Sequence, residues 1–232
     1  MQAAIVAGGR GLRMRPATDT LPKPMLPVMG KPLLEHQLLW LKKGGFDEIF
    51  LCLGYKAEAV KDYFKDGSAW GLKLRYRVES VPRGTAGAVR DLKPELAGDL
   101  LVVYGDLYVD MDCRKLVDFH RRLDGAATLV LRETDHPLDS DLVRLEGDRI
   151  MEIYRAKPGE EHGNIGMAAV WVVRPRLLEL IPVESPSDFG RDIFPKALSA
   201  GETLVGYRTG EVVMDLGTPA RCEAFERRFK PA

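Results

Sequence analysis

Residues 2–32 read QAAIVAGGRGLRMRPATDTLPKPMLPVMGKP and decide how the fold begins. The apolar start, Gln2 to Ala7, ends at a glycine pair, which is the pattern of a buried β-strand that enters a tight loop. Five prolines follow, and they exclude a continuous helix because proline lacks a backbone N–H and clashes with the preceding turn. Their fixed φ angles make a loop stiff. We therefore expect a buried strand followed by a rigid loop.

This loop has the composition of an anion-binding site. Gly8, Gly9 and Gly11 have no side chains, so backbone N–H groups can approach a phosphate chain closely. Residues 1–32 carry five cations against Asp19 alone, a net charge of 5 − 1 = +4 in a chain that is neutral overall. The cations are Arg10, Arg13, Arg15, Lys23 and Lys31. The sequence therefore predicts that a polyanion binds here.

Two common phosphate-binding motifs do not match the loop. A Walker A motif ends in Gly-Lys-Ser/Thr, and no such triplet follows these glycines. A dinucleotide-binding fingerprint needs a third glycine where Met14 stands, and a helix directly after it, which Pro16 opposes. A nicotinamide-binding module is therefore weakened as an alternative, although it stays open.

Strand-like and helix-like segments alternate through the first 110 or so residues, a pattern typical of parallel βαβ units in a doubly wound sheet. Predicted strands are Gln2 to Ala7, Glu48 to Leu53, Leu72 to Val78 and Leu100 to Tyr104; predicted helices are Leu33 to Lys43, Ala57 to Phe64, Thr85 to Leu92 and Asp112 to Arg122. In the second half, four strand-like runs follow one another closely, so we expect mixed or antiparallel pairing there. They are ATLVLR, DLVRLEG, DRIMEIY and MAAVWVV.

The end of the chain combines two apolar-periodic segments, Phe189 to Leu198 and Pro219 to Phe229, with a short strand at Glu211 to Asp215. No repeat and no Pro/Gly/Ser linker divides the sequence. We therefore expect a single α/β domain over residues 1–232, with one half at 1–110 and the other at 111–232.

The overall charge excludes some classes of partner. Thirty-four basic residues balance 34 acidic ones, so nothing favours nucleic acid or an anionic membrane. No apolar run approaches the roughly 20 residues of a membrane span, and no signal peptide is recognisable, so we expect a cytoplasmic protein. The three cysteines are too few and too widely spaced for a disulfide framework or a zinc cluster.

A family resemblance rests on motifs that occur in order along nearly the whole chain. AGG-x-G-x-R and PKPMLPV-x-GKP are followed by ESVPRGTAGAV, VVYGD, NIGM and MDLGTP. This series resembles the sugar-phosphate nucleotidylyltransferases. The resemblance implies a Rossmann-like nucleotide-binding half with a sugar-binding second half. It also implies Mg²⁺-dependent transfer of a nucleoside monophosphate from an NTP to a sugar 1-phosphate, with release of pyrophosphate.

By the same resemblance, Arg13 contacts the triphosphate and Lys23 lies near the α-phosphate and the leaving group. Asp106 and Asp215 match two aspartates that bind the metal. Both follow apolar strands, where a doubly wound sheet presents its ligand-binding residues. Carboxylate oxygens suit Mg²⁺. The glycine loop, with Ala7, Gly8, Gly9 and Gly11, is expected to bind the nucleotide phosphates.

The sugar side of the resemblance rests on four residues. Lys157 resembles a lysine that binds the phosphate of the sugar 1-phosphate, but the usual preceding glutamate is absent, since the run reads RAKP. Asn164 and Gly166 match an Asn-x-Gly that lines the sugar pocket, and Asp192 is expected at its edge.

Base choice depends on Glu79 in ESVPRGTAGA, where related proteins place Glu or Gln against the base; Gly84 and Thr85 of this motif are further expected substrate-binding residues. An ionised Glu accepts hydrogen bonds only, and guanine offers two adjacent donors where uracil and thymine offer one. An unpaired buried acceptor costs about 1–3 kcal/mol, which favours GTP, with UTP next. Short relatives with this motif resemble heptose or mannose 1-phosphate guanylyltransferases.

One other functional hypothesis remains besides the nicotinamide-binding module. A catalytically silent nucleotide-sugar sensor would keep the fold and is expected to lose phosphate or metal ligands; here all four charged residues are present. The oligomeric state is not readable from the sequence, and a homodimer is the default expectation.

Overall fold

The structure, a computed structural model, describes residues 1–229. Its strands are β1 (Gln2–Ala7), β2 (Pro27–Val28), β3 (Lys31–Pro32), β4 (Glu48–Leu53), β5 (Lys73–Val78), β6 (Leu100–Tyr104), β7 (Leu107–Asp110), β8 (Ala127–Glu133), β9 (Leu142–Glu146), β10 (Arg149–Tyr154), β11 (Ile165–Val173), β12 (Leu204–Arg208) and β13 (Val212–Asp215). Its α-helices are α1 (Leu33–Lys43), α2 (Ala57–Phe64), α3 (Gly84–Arg90), α4 (Cys113–Arg122), α5 (Phe194–Ser199) and α6 (Pro219–Phe229).

The chain forms two compact units, each built from separated segments. Of the described residues, the first unit contains Gln2–Pro82, Val103–Met111 and 211–229; the second contains Arg83–Val102 and Asp112–Gly210, together with Met1. These units differ from the expected halves, 1–110 and 111–232. Arg83–Val102 belongs to the second unit although it lies in the first expected half, and 211–229 belongs to the first unit although it lies in the second expected half. A single domain stays a prediction.

The first unit is built on parallel strands in the order β5-β4-β1. Ala3 to Ala7 of β1 pair with Ile49 to Leu53 of β4, and β4 in turn pairs with β5. Strands β1 and β4 are apolar on both faces and almost fully buried, as expected of a parallel sheet covered by helices.

Helix α1 of the first unit supports the turn between β6 and β7. Its buried Gln37 donates from Nε2 to the carbonyl oxygens of Tyr104, at 2.7 Å, and Leu107, at 2.8 Å. Trp40 Nε1 donates to the Met111 carbonyl at 2.7 Å. The short strand β7 pairs antiparallel with β13, joining residues about a hundred positions apart. These bonds fix the turn at residues 105–106.

The second unit has mixed pairing. Its strands lie in the order β11-β8-β12-β10-β9; β12 runs parallel to β8, whereas β11 with β8 and β10 with β9 are antiparallel. The register of β11 against β8 shifts between Met167 and Trp171. Buried side chains include Leu129, Val130, Val172 and Phe194.

The predicted mixed α/β class is confirmed, with parallel strands near the N-terminus and mixed pairing in the second unit. Most predicted elements match within one or two residues. Four strands, β2, β3, β7 and β12, were not predicted. The apolar segment at Phe189 starts as a π-helical turn, Phe189–Ile193, before α5. Among the described residues, no helix has both the length and the apolar character needed to cross a bilayer.

A polar network around Glu48, at the start of β4, predicts a pH-dependent part of the stability. Gln2 donates to Glu48 at 2.9 Å, Lys73 lies at 3.0 Å and Arg75 at 2.6 Å, and these groups lower the pKa of Glu48 to about 2. A carboxyl whose pKa is lowered on folding stabilises the fold at neutral pH, and this contribution is lost as the pH falls from about 4.5 towards 2.

We therefore expect Glu48→Gln to lower the free energy of unfolding by about 1 kcal/mol at pH 6, and the difference from wild type to shrink by more than half at pH 3. Urea unfolding at both pH values measures it. Glu58→Gln, at an exposed position of α2, is the control. A difference that stays constant between the two pH values would contradict this assignment.

Candidate active site

The glycine loop lies where the parallel strands of the first unit end. Gly54 directly follows β4, and its backbone N is 3.5 Å from where a Cβ on Gly8 would lie; a Cβ on Gly54 would lie 2.8 Å from the Gly8 carbonyl oxygen. Glu79 directly follows β5, and its Oε2 lies 3.4 Å from the Cβ position of Gly8. The structure thus brings the predicted base-binding carboxylate, Glu79, next to the predicted phosphate loop.

Close backbone approach continues at the β6–β7 turn. The Gly105 N–H donates to the Val6 carbonyl at 2.9 Å, and a Cβ on Gly105 would lie 2.7 Å from the Ala7 Cβ. Any larger residue at 105 would push the turn away from the start of the loop. Gly9, by contrast, faces open space, with no atom within 4 Å of its Cβ position.

Short turns hold the rest of the loop in place. Gly11 has a φ of +63°, a conformation that favours glycine, and its carbonyl accepts hydrogen bonds from the Met14 N–H at 2.9 Å and the Thr18 hydroxyl at 3.0 Å. Three 3₁₀ turns and the β2–β3 pair complete the loop. The predicted rigid, proline-rich loop is therefore what the structure contains.

Lys23 and Asp106 form an ion pair. The lysine lies in the third 3₁₀ turn of the loop, and its Nζ is 2.6 Å from Asp106 Oδ2. The Lys23 side chain is 11% exposed and that of Asp106 is 29% exposed. Asp106 itself is held by the turn that Gln37 supports, so the pair links the loop to the β6–β7 turn.

Asp215 closes β13 and lies beside Asp106. The Leu216 N–H donates to the Asp106 carbonyl at 2.9 Å, and Asp215 pairs with Leu107 in the β7–β13 ladder. One Asp215 oxygen, Oδ1, accepts from the Gly217 N–H at 2.5 Å, and the other, Oδ2, accepts from Arg221 Nη1. The two predicted metal ligands are thus neighbours across one backbone hydrogen bond.

Four predicted residues, Arg13, Lys23, Asp106 and Asp215, converge near Gly217, and we call them the charged centre. A Cβ on Gly217 would lie 2.5 Å from Asp215 Oδ1, 3.1 Å from Arg13 Nη2 and 3.2 Å from Lys23 Nζ. The absence of a side chain at 217 therefore leaves a space bounded by two cations and a carboxylate. The two cations that meet at this point suit the oxygens of a phosphate group next to them.

The charged centre fits a divalent metal shared with a substrate. Within residues 1–229, no group of three or more His, Cys, Asp or Glu side chains could hold an ion by itself. Magnesium in nucleotide sites commonly takes only one or two carboxylates, and phosphate oxygens and water complete its shell. Asp106 and Asp215 supply that number, and the glycine-sized space at 217 lies against one of them.

Gly84 and Thr85 lie at the start of α3 in the second unit. Gly84 has a φ of +74°, and a Cβ there would collide with the Ser187 backbone. The Thr85 hydroxyl donates to Asp188 Oδ2 at 2.7 Å and accepts from the Phe189 N–H at 3.2 Å. In this structure the Thr85 side chain therefore anchors the segment that begins at Asp188.

The predicted sugar residues follow β10 and begin β11 in the second unit. Lys157 has a side chain that is 76% exposed, with Glu160 at 3.6 Å. Asn164 is exposed, and its carbonyl accepts from the Thr134 N–H at 2.8 Å. Gly166 is buried and pairs with Leu142. Asp192 Oδ2 accepts from the Asp188 N–H at 2.7 Å.

Sequence reasoning missed two residues that hold the charged centre. Gln37 looks like an ordinary polar position within a helix, and only its burial shows that it fixes the turn before Asp106. Arg221 lies on the first turn of α6 and donates a hydrogen bond to Asp215.

A mainly apolar cavity of about 210 Å³ lies beside Lys23. Cys222 lines this cavity, and burial raises the pKa of its thiol.

Comparison with known proteins identifies relatives over nearly the whole chain. Residues 2–226 match the Nucleotidyl transferase family. The chain is 32% identical over 222 residues to a mannose-1-phosphate guanylyltransferase of Mycobacterium tuberculosis, covering 94% of this chain and 62% of the relative. It is 30% identical over 221 residues to a UTP–glucose-1-phosphate uridylyltransferase of a Synechocystis strain, covering 87% of this chain and 56% of the relative. The chain thus spans about three fifths of the length of these relatives.

Solved structures share the fold. A putative glucose-1-phosphate thymidylyltransferase from Bacillus anthracis superposes with a TM-score of 0.87 at 24% identity, covering 100% of this chain and 97% of the other. HddC from Yersinia pseudotuberculosis, complexed with GMP-PN, gives a TM-score of 0.81 at 24% identity, with 99% of each chain covered.

The family match runs from β1 into α6 and so includes the glycine loop and all four residues of the charged centre. The chain therefore belongs to the nucleotidyl transferase family.

Proposed function

We propose that the chain transfers a nucleoside monophosphate, with GMP favoured, from an NTP to a sugar 1-phosphate and releases pyrophosphate. The observation that carries this proposal is the charged centre, where Arg13, Lys23 and Asp215 surround the space at Gly217 and Asp106 is paired with Lys23. A site of this kind is suited to a polyphosphate rather than to a neutral ligand.

The reaction brings two polyanions together. A phosphate oxygen of the sugar 1-phosphate forms a bond to the α-phosphorus of the NTP, and the bond from that phosphorus to the bridging oxygen of pyrophosphate breaks. The attacking phosphate is already ionised near neutral pH, so no general base is needed. What the protein must supply is charge neutralisation and alignment.

The chain's own residues provide both. The glycine loop offers backbone N–H groups to the phosphates, and Gly9 leaves open space for their approach. Arg13 binds phosphate oxygens through its guanidinium group, and Lys23 places its ammonium where charge accumulates on the leaving pyrophosphate. Asp106 and Asp215 would hold Mg²⁺, which supplies further positive charge to the phosphates when bound.

Lys157 is proposed to bind the phosphate of the sugar 1-phosphate, since its side chain is 76% exposed and Glu160 is its one ion-pair partner within residues 1–229. Asn164 and Gly166 would line the sugar pocket. The relatives act by name on mannose 1-phosphate and glucose 1-phosphate. We propose a mannose-like or heptose-like sugar 1-phosphate as the substrate.

GTP is the proposed donor because Glu79, against Gly8, offers acceptors only. Guanine can satisfy two acceptors with its N1–H and 2-amino group, whereas uracil has one donor on that edge. Named relatives include both a guanylyltransferase and a uridylyltransferase, so UTP is the second candidate. A homodimer and a cytoplasmic location stay predictions.

Pyrophosphate release with a panel of NTPs and sugar 1-phosphates, with and without Mg²⁺, tests the function. We expect the highest kcat/KM with GTP, and we expect Glu79→Gln to lower the GTP-to-UTP ratio about tenfold, because an amide presents one donor and one acceptor. Glu58→Gln serves as the control. A ratio unchanged by the Glu79 substitution, or UTP, dTTP or ATP far ahead of GTP, would contradict the base assignment.

Lys23→Ala and Asp106→Asn should each lower turnover by about a hundredfold or more, because each removes charge stabilisation that the transition state needs. We expect the thermal midpoint to shift by only a few degrees, since the Asp106 side chain is 29% exposed and an ion pair open to solvent contributes little to stability. Lys43→Ala, at the exposed end of α1, should leave turnover unchanged.

Equal turnover in the Lys23 and Asp106 variants and in wild type would remove both residues from the chemistry. A wild-type chain that binds nucleotide yet releases no pyrophosphate with any pair of substrates would instead favour the silent sensor. The family match counts against a nicotinamide-binding module.

A further inference from the structure

Arg221 forms an ion pair with Asp215, one of the two carboxylates of the charged centre. It lies on the first turn of α6, where its backbone N–H donates to the Thr218 hydroxyl at 3.3 Å. Its Nη1 donates to Asp215 Oδ2, while the Gly217 N–H donates to Asp215 Oδ1. The Arg221 side chain is only 25% exposed, so this contact is shielded more than an ordinary surface ion pair.

The other carboxylate, Asp106, is also paired with a cation. Asp106 Oδ2 is bound by Lys23 at 2.6 Å, and Arg13 Nη2 lies 3.1 Å from the Cβ position of Gly217, where Lys23 Nζ lies at 3.2 Å. Three cations therefore face two carboxylates, a net charge of 3 − 2 = +1. Without a bound anion, this charge repels a divalent cation; a bound triphosphate would reverse the sign.

We propose that Arg221 is a positioning residue that neutralises Asp215 until a metal–triphosphate binds, so that metal affinity depends on the nucleotide. This inference rests on the proposed function for the identity of Asp215 as a metal ligand. The guanidinium keeps the Asp215 carboxylate oriented towards Gly217 and withholds Oδ2 from free metal. When the triphosphate is bound, its charge compensates the arginine and Asp215 becomes available.

The alternative is that Arg221 is a structural ion pair that only holds the start of α6 against β13. The two roles predict opposite results for metal binding. If Arg221 is merely structural, its removal loosens Asp215 and weakens metal binding. If it competes with the metal, its removal strengthens binding of free metal.

The test measures Mn²⁺ binding to the nucleotide-free full chain by electron paramagnetic resonance. We expect Arg221→Gln to bind Mn²⁺ about tenfold more tightly than wild type, because a competing charge in a partly shielded site is removed. Arg221→Lys, which keeps the charge, should bind close to wild type. Arg227→Gln, at an exposed position of the same helix, controls for net charge and should change affinity less than about twofold.

A second measurement ties the gain to Asp215. Adding Asp215→Asn to the Arg221→Gln variant should abolish the tighter Mn²⁺ binding, with thermal unfolding used to confirm that each variant is folded. Unchanged or weaker Mn²⁺ binding in folded Arg221→Gln, or a gain that survives loss of the Asp215 carboxylate, would overturn the inference. Because Mn²⁺ binding is read without turnover, a wild-type chain with no transferase activity would refute the proposed function separately.

Discussion

The backbone hydrogen bond between the Leu216 N–H and the Asp106 carbonyl is the constraint on which the rest of the site depends. It ends the β7–β13 ladder and holds together two segments about a hundred residues apart. Closing so long a loop costs entropy, which the ladder and the buried contacts around it must offset. These contacts include Leu33, Leu216 and Phe225, which pack in one apolar cluster. The two carboxylates thus meet through this hydrogen bond, and the apolar cluster that contains Leu216 helps to offset the cost of closing the loop.

Glycine residues allow the strand ends and the charged side chains to approach the glycine loop closely. Gly54 and Gly105 let the ends of β4 and β6 reach the backbone of the glycine loop, and Gly217 leaves the space that two cations and a carboxylate surround. A stiff loop fits this arrangement, since its cations must be held in place before any anion binds. Cations and carboxylates are paired across the site, and three cations against two carboxylates leave a net positive charge.

The sequence predicted most of the fold, because long periodic segments such as α1 and buried runs such as β1 and β4 carry their own signal. It did not predict β7, a four-residue strand that exists only through its pairing with β13, or β12, whose run LVGYR is interrupted by glycine. In the candidate site, the motifs pointed to Arg13, Lys23, Asp106 and Asp215, and the structure brings these together. Gln37 and Arg221 could not be predicted, since helical position alone does not reveal a buried or long-range partner.

The central claim is that Asp106 and Asp215 hold one metal ion together with a triphosphate next to the glycine loop. A crystal structure of the chain with Mn²⁺ and a non-hydrolysable GTP analogue, with the ion located by its anomalous scattering, tests it most directly. We expect one Mn²⁺ about 2 Å from an oxygen of each carboxylate and from phosphate oxygens, with the Arg13 side chain on the triphosphate. An ion bound by neither aspartate, or a triphosphate away from the loop, would contradict it.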